Sequence, residues 1–156
     1  MTVIRVSFVG SKEEIAEALS IRRRVFIDEQ HVPEDLEIDE HDDERAWGTT
    51  AVHALLWLDG RPVATGRILL EDRPGHNAHV GRVAVLREYR GTGLGRAVME
   101  ALQERAHKLG YPGITLAAQL HALGFYERLG YVARGGIFFD AGIEHRSMDL
   151  SFEPAI

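Results

Sequence analysis

An apolar stripe preceded by a cluster of glycines limits what this chain can become. Leu94, Ala97, Val98, Ala101, Leu102, Ala106 and Leu109 recur at intervals of three and four residues. The spacing predicts an amphipathic helix with one face to bury, and Gly110 stands where such a helix stops. Just before it comes Arg90-Gly91-Thr92-Gly93-Leu94-Gly95, and before that residues 79–85 read as a strand. A strand that enters a helix through such a loop needs a sheet on which that helix can lie.

The flanking segments supply the sheet. Residues 2–9 alternate as a half-buried strand. Ser11 with Glu14 makes a capping-box pattern that opens a helix carrying Ile15, Ala18, Leu19, Arg22 and Phe26. Residues 51–58 and 62–70 read as two strands around Asp59-Gly60, a hairpin-turn signal, and residues 72–77 as a loop. Residues 114–118 form a short strand, 120–129 a short helix ending at Gly130, and 131–139 and 146–152 two final strands. The order predicts an α/β (α+β layered) fold on a mixed sheet. At 156 residues, the whole of 1–156 is expected to be a single domain.

The chain has no cysteine, which removes thiolate metal sites and cysteine nucleophiles and fits a cytoplasmic setting. No run approaches the length of a membrane span, and nothing near Met1 resembles a signal peptide. The net charge of -6 argues against nucleic-acid binding. That average hides an asymmetry. Arg82, Arg87, Arg90 and Arg96 face only Glu88 across residues 82–96, whereas residues 34–44 carry Glu34, Asp35, Glu37, Asp39, Glu40, Asp42, Asp43 and Glu44 with no lysine or arginine. The first segment suits an anion. The second reads as a solvated loop after Pro33 or as a lip that attracts a cationic amine. The eight histidines lack the paired spacing of a metal site, so no metal is expected.

Glycines let main-chain N–H groups close on a ligand, and the helix that follows adds its own free N–H groups and the positive end of its dipole. A diphosphate fits. A Walker loop would need Gly-Lys-Ser/Thr, which is absent. A dinucleotide fingerprint counted from Gly91 would need glycine at Arg96 and an acidic residue within 111–119, and neither is present. A glycine turn that only lets strand and helix pack remains the plain alternative.

The spacing Arg90-x-x-Gly93-x-Gly95 resembles the pyrophosphate loop of the GNAT superfamily of N-acetyltransferases. Ala122-Leu123-Gly124-Phe125-Tyr126-Glu127-Arg128-Leu129-Gly130-Tyr131 is similar to a second segment of that superfamily, with Tyr131 in place of phenylalanine. Arg22-x-x-Val25-Phe26-x-x-Glu29-Gln30, Glu37-x-Asp39-x-x-Asp42, Gly81–Val85, Ala118-Gln119 and Gly142-Ile143-Glu144-His145-x-x-Met148 resemble signatures of its ElaA-like or YjcF-like group, with Glu144 where proline is usual.

The resemblance implies a mostly antiparallel central sheet flanked by helices, with a splayed strand pair holding acetyl-coenzyme A. The implied cosubstrate contacts are Val83, Ala84, Val85, Arg90, Gly91, Thr92, Gly93, Leu94, Gly95, Arg96, Gln119, Phe125 and Tyr126. Main-chain N–H groups of Val83 and Val85 would orient the thioester, and Tyr126 would protonate the departing thiolate. The amine must be neutral to attack, so a base is needed. Glu29, Glu37, Asp39, His79, His121 and His145 are the candidates, and Tyr126, His121 and Glu29 form the expected catalytic set. The expected function is direct acetyl transfer to a small-molecule or protein amine, the alternative an inactive acyl-coenzyme A sensor. A homodimer is implied by the resemblance alone.

Overall fold

The Asp59-Gly60 signal is realised as a tight turn, with positive φ at both residues, and the two strands it joins lie next to each other inside a sheet. The computed structural model describes residues 1–152; residues 153–156 of the expected domain lie outside them. The strands are β1 (Ile4–Phe8), β2 (Ala51–Leu58), β3 (Arg61–Leu69), β4 (Ala78–Val85), β5 (Gly113–Gln119), β6 (Val132–Asp140) and β7 (Ile143–Ser151). They lie side by side as β1-β2-β3-β4-β5-β7-β6. Every neighbouring pair is antiparallel except β4 with β5. This is the mixed sheet that the order of elements predicts, with the mostly antiparallel character that the resemblance implies.

The predicted long helix is α3 (Leu94–Lys108), which buries Leu94, Val98, Met99, Leu102 and Ala106. Gly66 on β3 brings it close, since a Cβ there would stand 2.9 Å from both Val98 and Leu102. Burying each of the larger apolar side chains among these contributes about 1.5–3 kcal/mol. Strand alternation turns Thr65 and Arg67 to the opposite face, where α1 (Lys12–Arg22) packs. Ser11 caps α1 by accepting from the Glu14 N–H at 3.2 Å, while the Glu14 carboxylate accepts from the Gly10 N–H at 3.0 Å. The helix continues through Arg23–Glu29 with the wider π-type turn. α4 (Leu123–Arg128) follows a single tight turn at Leu120–Ala122.

The long loop expected after Pro33 is not a loop. It is folded into α2 (Glu34–Glu37) and two tight turns, Glu40–Asp42 and Glu44–Ala46. The cause is charge. Arg22, Arg67 and Arg82 draw Glu37, Asp39 and Asp42 inward, and Asp39 caps the turn that follows it.

One break in the sheet prepares the site. β4 pairs with β5 only at Ala78–Ile114, His79–Thr115 and Val80–Leu116. Against β3, the register of β4 jumps between Thr65–Ala84 and Arg67–Gly81, so two residues, Arg82 and Val83, oppose one. Arg82 has φ +54°. Such a bulge bends its strand, and β4 diverges from β5 beyond it. β5 meanwhile stays paired with β7 out to Gln119. The predicted splay of residues 83–85 from 114–118 therefore starts after Val80 and Leu116.

Candidate active site

The splay opens into a cleft of about 820 Å³. Its floor is the free side of β4. Leu86 donates its N–H to the Val63 carbonyl on β3 at 3.0 Å, so by antiparallel alternation the main-chain groups of Val85, and of Val83 at the same parity, face the gap. The Val85 carbonyl confirms that direction by accepting from Arg90 Nε at 2.9 Å.

At one end stands the glycine loop. Gly91 and Gly93 have φ +81° and +86°, and a Cβ at either would meet nothing within 4 Å, so the main chain there borders open space. Gly93 precedes α3 without any side-chain cap. The first bond of the helix runs from the Ala97 N–H to the Gly93 carbonyl at 3.1 Å, which leaves the N–H groups of Leu94, Gly95 and Arg96 without intrahelical partners. Gly95 sits against Phe125, 3.3 Å from where its Cβ would be. A diphosphate is the kind of group this arrangement suits.

The nearby arginines are less available than their sequence density suggests. Arg90 pairs with Glu29 at 3.0 Å, Arg87 approaches the same carboxylate at 3.5 Å, and Arg24 pairs with Glu88 at 2.6 Å. These contacts tie the loop to the widened end of the α1 segment. Glu29 does not line the cleft. Its carboxylate is held by two guanidinium groups instead.

Tyr126 does line the cleft. Its ring meets Phe125 and Tyr131 edge-on at 4.9 and 5.7 Å. Burial pushes its hydroxyl up to about 12, because the phenolate loses more on leaving water than the phenol does. The group is a firm holder of its proton.

Val83, Ala84, Val85, Arg90, Gly91, Gly93, Leu94, Gly95, Arg96, Gln119, Phe125 and His121 also border the cleft. Thr92 does not; its hydroxyl donates back to the Tyr89 carbonyl at 2.8 Å. His121 is exposed on the wall. His145 is buried, its Nδ1 2.7 Å from the Ile143 carbonyl, its ring stacked on Phe138. Glu37 borders the cleft but is held by Arg22 at 2.8 Å and Arg82 at 3.0 Å. Asp39 lies off it and meets Arg67 at 2.6 Å.

Gln30 was not among the expected contacts, yet its amide exchanges two hydrogen bonds with Gln119, at 2.8 and 3.2 Å, across the mouth of the gap. Its place in the Arg22-to-Gln30 signature was the available clue. Their pairing over 89 positions is visible only in the fold. Among the described residues, no three His, Asp or Glu side chains are grouped to hold a metal ion. Nor is any helix long and apolar enough to cross a membrane.

Comparison with known proteins agrees with this geometry. The sequence profile of the acetyltransferase (GNAT) family matches residues 14–131. The chain belongs to the GNAT acetyltransferase family. Within it, the chain is similar to YyaT of Bacillus subtilis, 36% identical over 91% of this chain and 92% of that protein. It is also similar to the N-acetyltransferase YjcF of the same organism, 35% identical over 88% and 93%. The crystal structure of Escherichia coli ElaA superposes with a TM-score of 0.82 at 26% identity, covering 94% of this chain and 99% of that one. These likenesses bear out the ElaA-like or YjcF-like grouping. As a GNAT protein the chain is an acyltransferase with an acyl-coenzyme A as cosubstrate and an amine as acceptor.

The arginine–carboxylate cluster beneath this GNAT cleft carries its own expectation. Burial opposes ionisation of Asp39, yet the hydrogen bonds and charge of Arg67 hold its carboxyl at about 2, from an ordinary 3.8. A group depressed in the folded state contributes stability that is complete above its unfolded value and is lost as pH falls through the folded one. The window is therefore about pH 5 down to 2, and the contribution about 2 kcal/mol. Denaturant titrations of wild type and Asp39→Asn at pH 6 and pH 2.5 check this. The stability gap between the two proteins is expected to shrink by most of that amount at the lower pH, and an unchanged gap contradicts it.

Proposed function

We propose that this protein moves an acetyl group from acetyl-coenzyme A to a primary amine by direct attack, without a covalent enzyme intermediate. The observation that carries the reading is the gap between β4 and β5. It presents the main-chain N–H groups of Val83 and Val85 at one side and runs to the open N–H groups before α3. A long cosubstrate with amides along its arm and a diphosphate at its end matches that sequence of donors and acceptors.

In this reading the diphosphate lies on the main chain of residues 91–96, and the arm follows β4 beside Phe125. Arg87 and Arg96, both largely exposed, add positive charge; exposed ion pairs contribute at most about 1 kcal/mol and are easily exchanged. Gln119 and Gln30 exchange their mutual bonds for the amides of the arm. The Val83 and Val85 N–H groups orient the thioester, and one of them stabilises the oxygen on which negative charge develops.

The amine nitrogen attacks the thioester carbon and the carbon–sulfur bond breaks. The sulfur leaves with the electron pair and receives the Tyr126 proton, while His121 takes the proton lost by the amine. A later transfer from His121 through water restores the tyrosine. A phenol at about 12 against a thiol near 8.5 is an uphill donor. The same desolvation that raises the phenol raises the thiol, so the difference inside the cleft is smaller than the thiol's solution value implies. Glu29 fixes Arg90 in this scheme and does not touch the reacting atoms.

Titration calorimetry with coenzyme A, followed by thiol release from acetyl-coenzyme A over a broad panel of amines, tests the reading. Binding with amine-dependent release is the expected result. Binding with no release across the panel refutes the transfer, and no binding at saturating concentration refutes the site.

A further inference from the structure

The open side of the cleft, away from the glycine loop, carries a cation whose placement the cosubstrate does not explain. Arg82 stands at the bulge where β4 leaves β5, with φ +54°. A non-glycine residue costs about 1–2 kcal/mol in that region, and such strain persists only where surrounding contacts impose it. Here they do. Arg82 Nε lies 3.0 Å from Glu37 Oε2 and 3.2 Å from the Glu37 carbonyl. Nη2 donates to the Leu36 and Glu37 carbonyls at 3.1 and 3.2 Å and lies 3.5 Å from Asp39. Nη1 has no partner among the described residues. The side chain is partly exposed and borders the cleft. A guanidinium locked on two of its nitrogens, with the third left over, is a prepared donor for an oxyanion.

The carboxylates of this region argue the same way. One of the two readings of residues 34–44 was a lip for a cationic amine. Instead Glu37 lies between Arg22 and Arg82, Asp42 between Arg22 and Arg67, and Asp39 on Arg67. The charges of this cluster balance. Apart from Glu37, the only carboxylate among the described residues that borders the cleft is Asp140, at the end of β6. A polyamine, which needs several free carboxylates, finds one.

We infer that Arg82 selects the acceptor, and that the acceptor is an amine carrying an oxyanion, either a carboxylate or a phosphate, which the Nη1 edge of Arg82 holds on the open side of the cleft. This rests on the acyl-transfer reading above. The affinity comes from fixed N–H donors and not from net charge, since Glu37 and Asp39 already balance the cluster. Arg82 is in this sense a specificity residue that sets where the amine stands relative to Val83, its neighbour on β4.

The test is thiol release with matched acceptors: the common α-amino acids against their α-carboxamides, 2-aminoethyl phosphate against ethanolamine, and spermidine. The wild type is expected to favour the anionic member of at least one pair by tenfold or more in kcat/KM, mainly through KM, and the pair that responds identifies carboxylate or phosphate. Arg82→Gln is expected to reduce that ratio below threefold, and Arg82→Lys to leave an intermediate value. A preference for spermidine or the neutral members overturns the inference, as does a ratio retained in Arg82→Gln with coenzyme A binding intact. Should Arg82→Gln bind no coenzyme A, Arg82→Lys carries the comparison, and a wild-type ratio in it counts against the role. Calorimetry with N-acetylated amino acids and their amides, and with N-acetylated 2-aminoethyl phosphate and ethanolamine, in the presence of coenzyme A, needs no turnover. A preference for the anionic member there, without thiol release, upholds Arg82 and removes the reaction; no preference removes Arg82.

Discussion

Gly93→Val is expected to weaken coenzyme A binding at least a hundredfold while lowering Tm by only a few degrees. The position has φ +86°, a conformation a β-branched residue holds only at a cost of about 1–2 kcal/mol or more. The chain has two ways to relieve that cost. It can keep the turn and project a branched side chain into the space from which a ligand approaches, where a Cβ now meets nothing within 4 Å. It can also rotate the peptide and turn the N–H groups before α3 away from one another. Either outcome removes the diphosphate site, and a hundredfold change in Kd corresponds to about 2.7 kcal/mol. The core is untouched, because Gly93 is exposed and α3 is held from Leu94 onward by its buried stripe. Calorimetry with coenzyme A and a thermal melt measure the two effects separately. Wild-type affinity in the variant would show that the loop does not hold the diphosphate, and collapse of the melt would show that Gly93 serves the fold.

Tyr126→Phe is expected to lower kcat by a factor of about 10² to 10⁴ and to change the Kd for coenzyme A less than threefold. Phenylalanine keeps the edge-on contacts with Phe125 and Tyr131, so the ring stays in place and only the proton donor is lost. The direction of the tyrosine shift adds a second expectation. With the hydroxyl at about 12, Tyr126 remains protonated through the whole usable range. The wild-type kcat should then show no alkaline fall from this group up to about pH 10. Were the hydroxyl instead near the thiol value, the rate would decline above pH 8 or 9. A pH profile of kcat distinguishes these. An unaltered rate in Tyr126→Phe would dismiss the tyrosine from proton transfer altogether.

The sequence carried the glycine loop, the stripe of α3 and the Asp59-Gly60 hairpin in local patterns, each a matter of neighbours a few positions apart. Such features read well because turn chemistry and helical spacing act locally. The two motifs around Gly93 and Tyr126 pointed to the family, and the observed sheet has the predicted mixed character. The acidic run misled for a related reason. Counting charge along residues 34–44 could not find the arginines that draw Glu37, Asp39 and Asp42 inward, because Arg22 sits one helix earlier and Arg67 and Arg82 on β3 and β4. The partner of Glu29 was equally beyond local counting, Arg90 being 61 residues distant.

Local order, then, is written in the chain: where helices begin, where strands turn, which segment can bring main-chain N–H groups to a phosphate. Only the packed molecule decided which charges stay available, where β4 parts from β5, and that Gln30 meets Gln119 across the opening. The physical reason is range. Turn and helix preferences depend on adjacent torsions, whereas ion pairing and strand divergence depend on which distant groups the buried core presses together.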